Sequence, residues 1–204
     1  MEKTEAIIFD LGGVILNIDY HLTQKAFEDI GVTDFNHMYS QANADKLFSN
    51  LEKGKISETE FYRLLNERTG LQLSHAQIRN AWNAMLLDFR EDSLAFINSI
   101  KKKYRLFLLS NTNAIHYNKF CEIYLEKERF SSFESFFEKA WYSFEMGLRK
   151  PEDDCYESVL SKNGLNPQRT LFIDDSIQNV DTAARLGLRT VWLKPGMLIE
   201  NLGL

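Results

Sequence analysis

An α/β fold, built on a parallel sheet and carrying one helical insertion, is predicted by three features of the sequence. Short apolar runs (Ile7–Phe9, Leu106–Leu109, Leu171–Ile173) each stop at a polar residue, which is how strands buried on both faces read. From Glu91 onward such runs alternate with helix-like segments, the pattern of repeated strand–helix–strand units. Between Leu16 and Asp88 the pattern is helical instead, with no strong strand in it.

The first strand, around Glu5–Phe9, ends at Asp10 and then Gly12-Gly13. In open α/β sheets ligands bind at the carboxyl ends of strands, so Asp10 stands where chemistry is done. Asp19 is placed to cap a helix through His21 to Ile30 that Gly31 ends. A second helix is expected from Met38 to Leu51, closed by Lys53-Gly54-Lys55. Two capping boxes, Ser57 with Glu60 and Ser74 with Gln77, introduce a third helix bearing Phe61, Leu64 and Leu65 and a fourth bearing Ile78, Trp82 and Met85. The expected organisation is a core of residues 1–15 and 89–204, with residues 16–88 as a small helical cap.

Beyond the cap, Leu94, Ile97, Ile100 and Tyr104 mark a helix face, and Arg105–Ser110 is the second strand. A helix from about Ala114 to Tyr124 follows, then the aromatic-rich stretch Phe130–Phe137, which reads as core. Lys139–Tyr142 is a further strand. Pro151 suits the first position of a helix that turns Cys155, Tyr156, Val159 and Leu160 inward and stops at Gly164. Thr170–Asp174 is a buried strand, followed by a helix bearing Ile177, Val180 and Ala184 and closed at Gly187. Thr190–Leu193 supplies the last strand. Right-handed crossovers leave the strand ends carrying Asp10, Ser110 and Asp174 on one edge of the sheet.

Composition narrows the function classes. The chain has 204 residues and a formal net charge of -5, with Lys and Arg scattered rather than gathered into a stripe, so nucleic acid is not an expected partner. Cys121 and Cys155 are too few for a disulfide framework, which fits a reducing cytoplasm. No apolar stretch has the length of a membrane span. Oligomeric state leaves no mark in the sequence.

Asp10, Asp174 and Asp175 converging on one crevice would repel one another unless a cation sat between them. Hard oxygen ligands point to Mg²⁺, which is held by one or two carboxylates with waters and substrate phosphate. Lys150 and Ser110 nearby complete an arrangement suited to phosphate: a carboxylate to attack phosphorus, and a cation and a hydroxyl to offset charge on the transferring group. Ser110 and the amides after it are the expected hydrogen-bond donors.

Four segments in order resemble the motifs of the haloacid dehalogenase-like hydrolases: Asp10-Leu11-Gly12-Gly13-Val14, Leu108–Asn113, Gly147-Leu148-Arg149-Lys150-Pro151 and Phe172-Ile173-Asp174-Asp175. Within that superfamily the sequence is similar to the bacterial α-D-glucose-1-phosphate phosphatases and the phosphatase domain of soluble epoxide hydrolases, through these motifs, Asp19 and Gly54-Lys55-Ile56-Ser57. The resemblance implies a Rossmann-like core, a helical cap and Mg²⁺-dependent hydrolysis of a small sugar phosphate such as glucose 1-phosphate. It makes Asp10 the nucleophile and a metal ligand, and Ser110 and Lys150 phosphate contacts, with Asn111 contributing through its backbone. Asp175 becomes the second carboxylate ligand, with Asp174 helping directly or through water.

One departure stands out. Most phosphatases of the family carry a second Asp two residues after the nucleophile, and this sequence has Gly12 there. Its carbonyl can still bind metal, but it cannot protonate a leaving group. Asp19 is either a replacement acid or a helix cap. His116 is expected on a helix surface, and Trp82 and Tyr20 in the cap core or facing substrate. Two other functions share the scaffold: a non-catalytic phosphate-binding or regulatory domain, which Gly12 favours, and a dehalogenase, which needs no metal and against which Asp174-Asp175 argues.

Overall fold

The computed structural model describes residues 3–39, 45–127 and 131–204. In chain order, β1 (Ala6–Phe9) leads into a short strand β2 (Leu16–Ile18) and the helices α1 (Tyr20–Asp29), α2 (Phe35–Met38), α3 (Lys46–Glu52), α4 (Glu58–Thr69) and α5 (His75–Asn83). The chain returns through β3 (Leu86–Phe89) and α6 (Glu91–Ile100) to β4 (Arg105–Ser110), α7 (Ala114–Leu125) and β5 (Lys139–Tyr142). The short α8 (Ser143–Met146), α9 (Asp153–Asn163), β6 (Thr170–Asp174), α10 (Ile177–Arg185) and β7 (Arg189–Trp192) complete it.

Five strands form one parallel sheet in the order β5-β4-β1-β6-β7, with β1 at the centre. Every residue of β1 and β6 is buried, as a strand covered on both faces requires. Alternate residues point to opposite faces. Ile7, Phe9, Leu106, Leu108, Leu171 and Ile173 join one apolar cluster with Leu94 and Ile97 of α6 and Phe120 of α7. Ala6, Ile8, Phe107, Leu109 and Phe172 join another with Cys155, Tyr156, Val159 and Leu160 of α9. Each fully buried aliphatic or aromatic side chain stabilises by about 1.5–3 kcal/mol relative to exposure, so the sheet is anchored from both sides.

Several elements differ from expectation. The insertion is bracketed by an antiparallel ribbon, β2 against β3, where the sequence shows only helical character. The two strands are too short to show a periodicity of their own, and they pair across about seventy residues. Asn17 Nδ2 donates to Asp88 at 3.1 Å, and Arg90 Nε donates to Asn17 at 2.7 Å, fastening the ribbon to the core. The expected Met38–Leu51 helix is replaced by α2 and by α3, which Asp45 caps by accepting from the Leu47 and Phe48 amides. Residues 40–44 of that stretch lie outside the described residues, as does Phe130 of the aromatic one. Ser57 caps α4, but Glu60 takes Arg63 as its partner instead of closing the box; the box of Ser74 with Gln77 is complete.

Pro151 does not open α9, which starts at Asp153 with Glu152 as its cap. The Asn111 side chain brackets the backbone of Lys150, donating to its carbonyl at 2.8 Å and accepting from its amide at 2.9 Å, so Pro151 stays in the preceding turn. In α10, Val180 is buried with Asn179 and Ala183, whereas Ile177 and Ala184 are exposed. Asn179 turns inward to meet Asp174, and this sets which face of the helix is covered.

His116 is buried, not on a surface. It stacks on Trp82 with ring centroids 4.5 Å apart, and its Nε2 donates to the Trp82 carbonyl at 3.0 Å. Trp82, together with Phe27, Phe35, Phe48 and Phe61, forms the apolar cluster of the insertion, and Ile115 of α7 belongs to the same cluster. The insertion therefore rests on α7 through apolar contact.

Burial pulls the His116 pKa down to about 4, against the weaker effect of the Trp82 carbonyl. An unfolded chain titrates this ring near its ordinary value of about 6.5, so below that pH the unfolded state takes up a proton that the folded state refuses. Stability should thus fall as pH drops from about 6.5 toward 4, by roughly 3 kcal/mol from this group. Denaturant unfolding of wild type and His116→Gln across that range should show the steeper loss in wild type; parallel curves would contradict it.

Candidate active site

The parallel topology delivers three strand ends to one edge. Asp10 follows the last residue of β1, and its amide continues the ladder by donating to the Ile173 carbonyl at 2.9 Å. Ser110 closes β4 and Asp174 closes β6. Between them stands Lys150, 1% exposed, whose Nζ donates to Asp10 Oδ1 and to Asp174 Oδ2 at 2.7 Å each. A cavity of about 100 Å³ opens in front of them, lined by Asp10, Gly12, Ser110, Asn111, Lys150 and Asp175 from the core. Ile18, Tyr20, Tyr39 and Glu52 from the inserted segment close it.

The two neighbouring aspartates have different surroundings. Asp174 is wholly buried and does not line the cavity. Its oxygens accept from Lys150, from Asn179 Nδ2 at 3.0 and 3.1 Å and from the Ser176 amide at 2.8 Å. Asp175 lines the cavity, and its main-chain carbonyl accepts from Trp192 Nε1 at 3.0 Å. Gly13, at φ +71°, makes this approach possible: a Cβ there would lie 2.2 Å from Asp175 Oδ2. Asp10, Asp174 and Asp175 can each offer an oxygen within 4.8 Å of the others. A donor set of hard carboxylate oxygens fits Mg²⁺.

Burial pushes the Asp10 carboxyl up to about 7; Lys150 opposes the shift, and Asp174 and Asp175 add to it. Burial draws the Lys150 ammonium down, but Asp10 and Asp174 more than offset this and hold it above its ordinary value. The site is thus built around negative charge that one lysine only partly neutralises.

The Thr112 amide departs from expectation, and the alternatives left open for Asp19, Trp82 and Tyr20 are decided. Thr112 does not offer its amide to a ligand, because that amide donates to Ser143 Oγ at 2.9 Å. Asp19 caps α1 by accepting from the His21 amide at 2.9 Å, and it does not line the cavity. Trp82 is 0% exposed and belongs to the core of the insertion, whereas Tyr20 does face the cavity. The room beside Gly12 is taken by Ile18, whose Cδ1 lies 2.2 Å from where a Cβ would stand.

Other contributors left no readable signal in the sequence. Asn179 sits five residues after Asp174 on an unremarkable amphipathic helix, and its role appears only once α10 is docked. Glu52 and Arg149 are 97 positions apart, yet they form an ion pair at 2.9 Å and both line the cavity.

The model of haloacid dehalogenase-like hydrolases matches residues 4–187. The chain belongs to this family. A D-ribitol-5-phosphate phosphatase of Bacteroides thetaiotaomicron is 29% identical over 90% of the chain and 89% of its own length. A sesquiterpene phosphatase of Aspergillus oryzae is 28% identical over 90% of the chain and 87% of its own. Among solved structures, an enzyme of the family from B. thetaiotaomicron, an aspartate-to-alanine variant in complex with magnesium and inorganic phosphate, aligns with a TM-score of 0.89. It is 34% identical and covers 95% of both chains. The Rossmann-like α/β fold of this hydrolase is thereby established.

A cation held by this cluster would compete with a proton for the Asp10 carboxylate. Mg²⁺ should therefore bind more weakly as pH falls through about 7, by up to about tenfold between pH 8 and pH 6. Calorimetric titration at the two pH values checks this, and an affinity independent of pH would contradict it.

Proposed function

We propose that the chain is a Mg²⁺-dependent phosphatase that transfers the phosphoryl group of a small hydroxylated phosphate ester to Asp10 and then to water. The observation that carries this reading is the meeting of Asp10, Lys150, Ser110 and Asp175 at one cavity on the carboxyl edge of the sheet. The phosphatases among the relatives support the reaction class, and the sugar-alcohol phosphate of one of them supports the substrate class.

Lys150 holds Oδ1 of Asp10 and leaves the other oxygen to attack phosphorus. The new bond joins Asp10 to phosphorus as the ester bond to the alcohol breaks. The Ser110 hydroxyl and the Asn111 amide donate to the transferring group, and the Lys150 ammonium offsets its charge. Asp10, Asp175 and the Gly12 carbonyl, with Asp174 supporting, would hold Mg²⁺, which would supply further charge neutralisation when bound. Water then attacks phosphorus, releasing phosphate and restoring Asp10. Residues 16–88 act as the lid over this chemistry, with 1–15 and 89–204 as the core. Glucose 1-phosphate is one ester of the proposed class.

No carboxylate at position 12 protonates the departing alcohol, and Asp19 is committed to α1, so that proton comes from water. General-acid help typically contributes ~10²–10⁴-fold, so its absence makes the rate depend on how well the alcohol leaves unaided. A regulatory, non-catalytic reading draws on the same glycine, and activity separates the two.

Asp10→Asn should remain folded and lose activity on the order of 10³-fold or more, and a chelator should silence wild type. Full activity in either case would overturn the mechanism. Across aryl and alkyl phosphates of graded leaving-group acidity, kcat of wild type should climb steeply with acidity. Gly12→Asp paired with Ile18→Ala, which clears room for the carboxylate, should flatten that dependence; a flat series in wild type would show that another group delivers the proton.

A further inference from the structure

Part of the cavity wall is built from charged groups that phosphoryl transfer does not use. Glu52, from α3, is 4% exposed. Its Oε1 accepts from the Tyr39 hydroxyl at 3.2 Å, and its Oε2 lies 2.9 Å from Arg149 Nη2. Among the described residues, Glu52 Oε2 and Arg149 Nε are both buried without a hydrogen-bond partner. Arg149 Nε is thus a donor with no acceptor, and Glu52 Oε2 is held by the charge of Arg149 without a well-formed hydrogen bond, both on residues that line one cavity.

We propose that Glu52, Arg149 and Tyr39 form a subsite that reads the hydroxyl groups of the organic part of the phosphate ester. The claim rests on the phosphatase reading of the same cavity and names the chemistry that reading leaves open. A hydroxyl both donates and accepts, so neighbouring hydroxyls of a sugar or sugar alcohol can donate to Glu52 and accept from Arg149. An anionic group would face the Glu52 carboxylate, and a cationic one the Arg149 guanidinium. A hydrocarbon chain would cover both charges and satisfy neither. Tyr20 lines the same cavity, and its phenol is held protonated by burial and by the negative charge of Asp175, Asp10 and Glu52. It therefore offers a further donor between the phosphate end and the hydroxyl end. The pair also spans the two parts of the molecule, Glu52 from the insertion and Arg149 from the loop that carries Lys150, so the reader of the hydroxyls is adjacent in sequence to the holder of Asp10.

Esters matched in skeleton and in leaving group, each departing as a primary alcohol, test the subsite: ribitol 5-phosphate against pentyl phosphate, and glucose 6-phosphate against tetrahydropyran-2-ylmethyl phosphate. At least one hydroxylated member should have a kcat/KM about tenfold or more above its match, because a site built to bond hydroxyls rejects analogues that lack them. Glu52→Gln and Arg149→Met should each erase most of that preference, chiefly through KM, while Tyr39→Phe, the mildest change, should reduce it in a protein with an unaltered unfolding transition. The same pairs are then titrated by calorimetry into Mg²⁺-loaded Asp10→Asn, in which binding is read without turnover. Equal turnover and equal binding of the matched esters would overturn the subsite while leaving the phosphatase intact. Preferential binding of a hydroxylated ester that wild type fails to hydrolyse would uphold the subsite and sink the phosphatase reading instead. A preference that survives both Glu52→Gln and Arg149→Met would also overturn it, by placing the discrimination elsewhere.

Discussion

A buried ammonium held between two buried carboxylates is the constraint on which the rest of this structure depends. Taking Lys150, Asp10 and Asp174 out of water costs several kcal/mol per ion, and their mutual attraction offsets this only where the geometry is tight. The surroundings are arranged to keep it tight. The parallel sheet fixes the roots of Asp10 and Asp174 on adjacent strands, Asn111 clamps the backbone of Lys150, and Asn179 with the Ser176 amide fills the remaining capacity of Asp174. With one lysine against three carboxylates the edge remains negative, which suits a divalent cation. The apolar clusters on the two faces of the sheet keep these strand ends from relaxing apart.

Much of this was legible in the sequence because its signals are local. A buried parallel strand is a continuous apolar run, and Ala6–Phe9, Arg105–Ser110, Lys139–Tyr142 and Thr170–Asp174 fall where such runs occur. Asp10 and Ser110, which stop two of them, line the cavity, and Asp174, which stops a third, is tied to it through Lys150. What escaped were relations between distant segments. The β2–β3 ribbon pairs strands too short for periodicity, and His116 looks like any polar residue on a helix until Trp82 is laid against it. Asn179 and the Glu52–Arg149 pair acquire meaning only from docking. Pro151 shows the reverse case, in which a sound local rule for helix starts yields to the side chain of Asn111.

Division of labour follows from where each group is rooted. Of the groups proposed to face the phosphate, Asp10, Ser110 and Asp175 stand at the ends of β1, β4 and β6, where small displacements are resisted by backbone pairing, and Lys150 stands on a loop that Asn111 clamps. Groups facing the remainder of the cavity, Ile18, Tyr20, Tyr39 and Glu52, come from the insertion, which rests on α7 through Trp82, Ile115 and His116. Lys53 pairs with Glu152 beside the Glu52–Arg149 contact, adding a second link between insertion and core. Gly12 lies where the two halves touch, with Ile18 occupying the space a longer side chain at position 12 would need. Loss of an acid there and the approach of an apolar residue from the insertion are one local arrangement.

A covalent bond between Asp10 and phosphorus is the central step of the proposed mechanism, and chemical trapping addresses that bond directly. Protein in excess over a hydrolysable aryl phosphate, with Mg²⁺, is quenched in acid within a single turnover, reduced with borohydride and mapped by peptide mass spectrometry. An acyl phosphate at Asp10 is reduced to homoserine, so homoserine should appear at position 10, only in samples given substrate, and not in Asp10→Asn. Rapid phosphate release with Asp10 unmodified at every quench time would contradict the account.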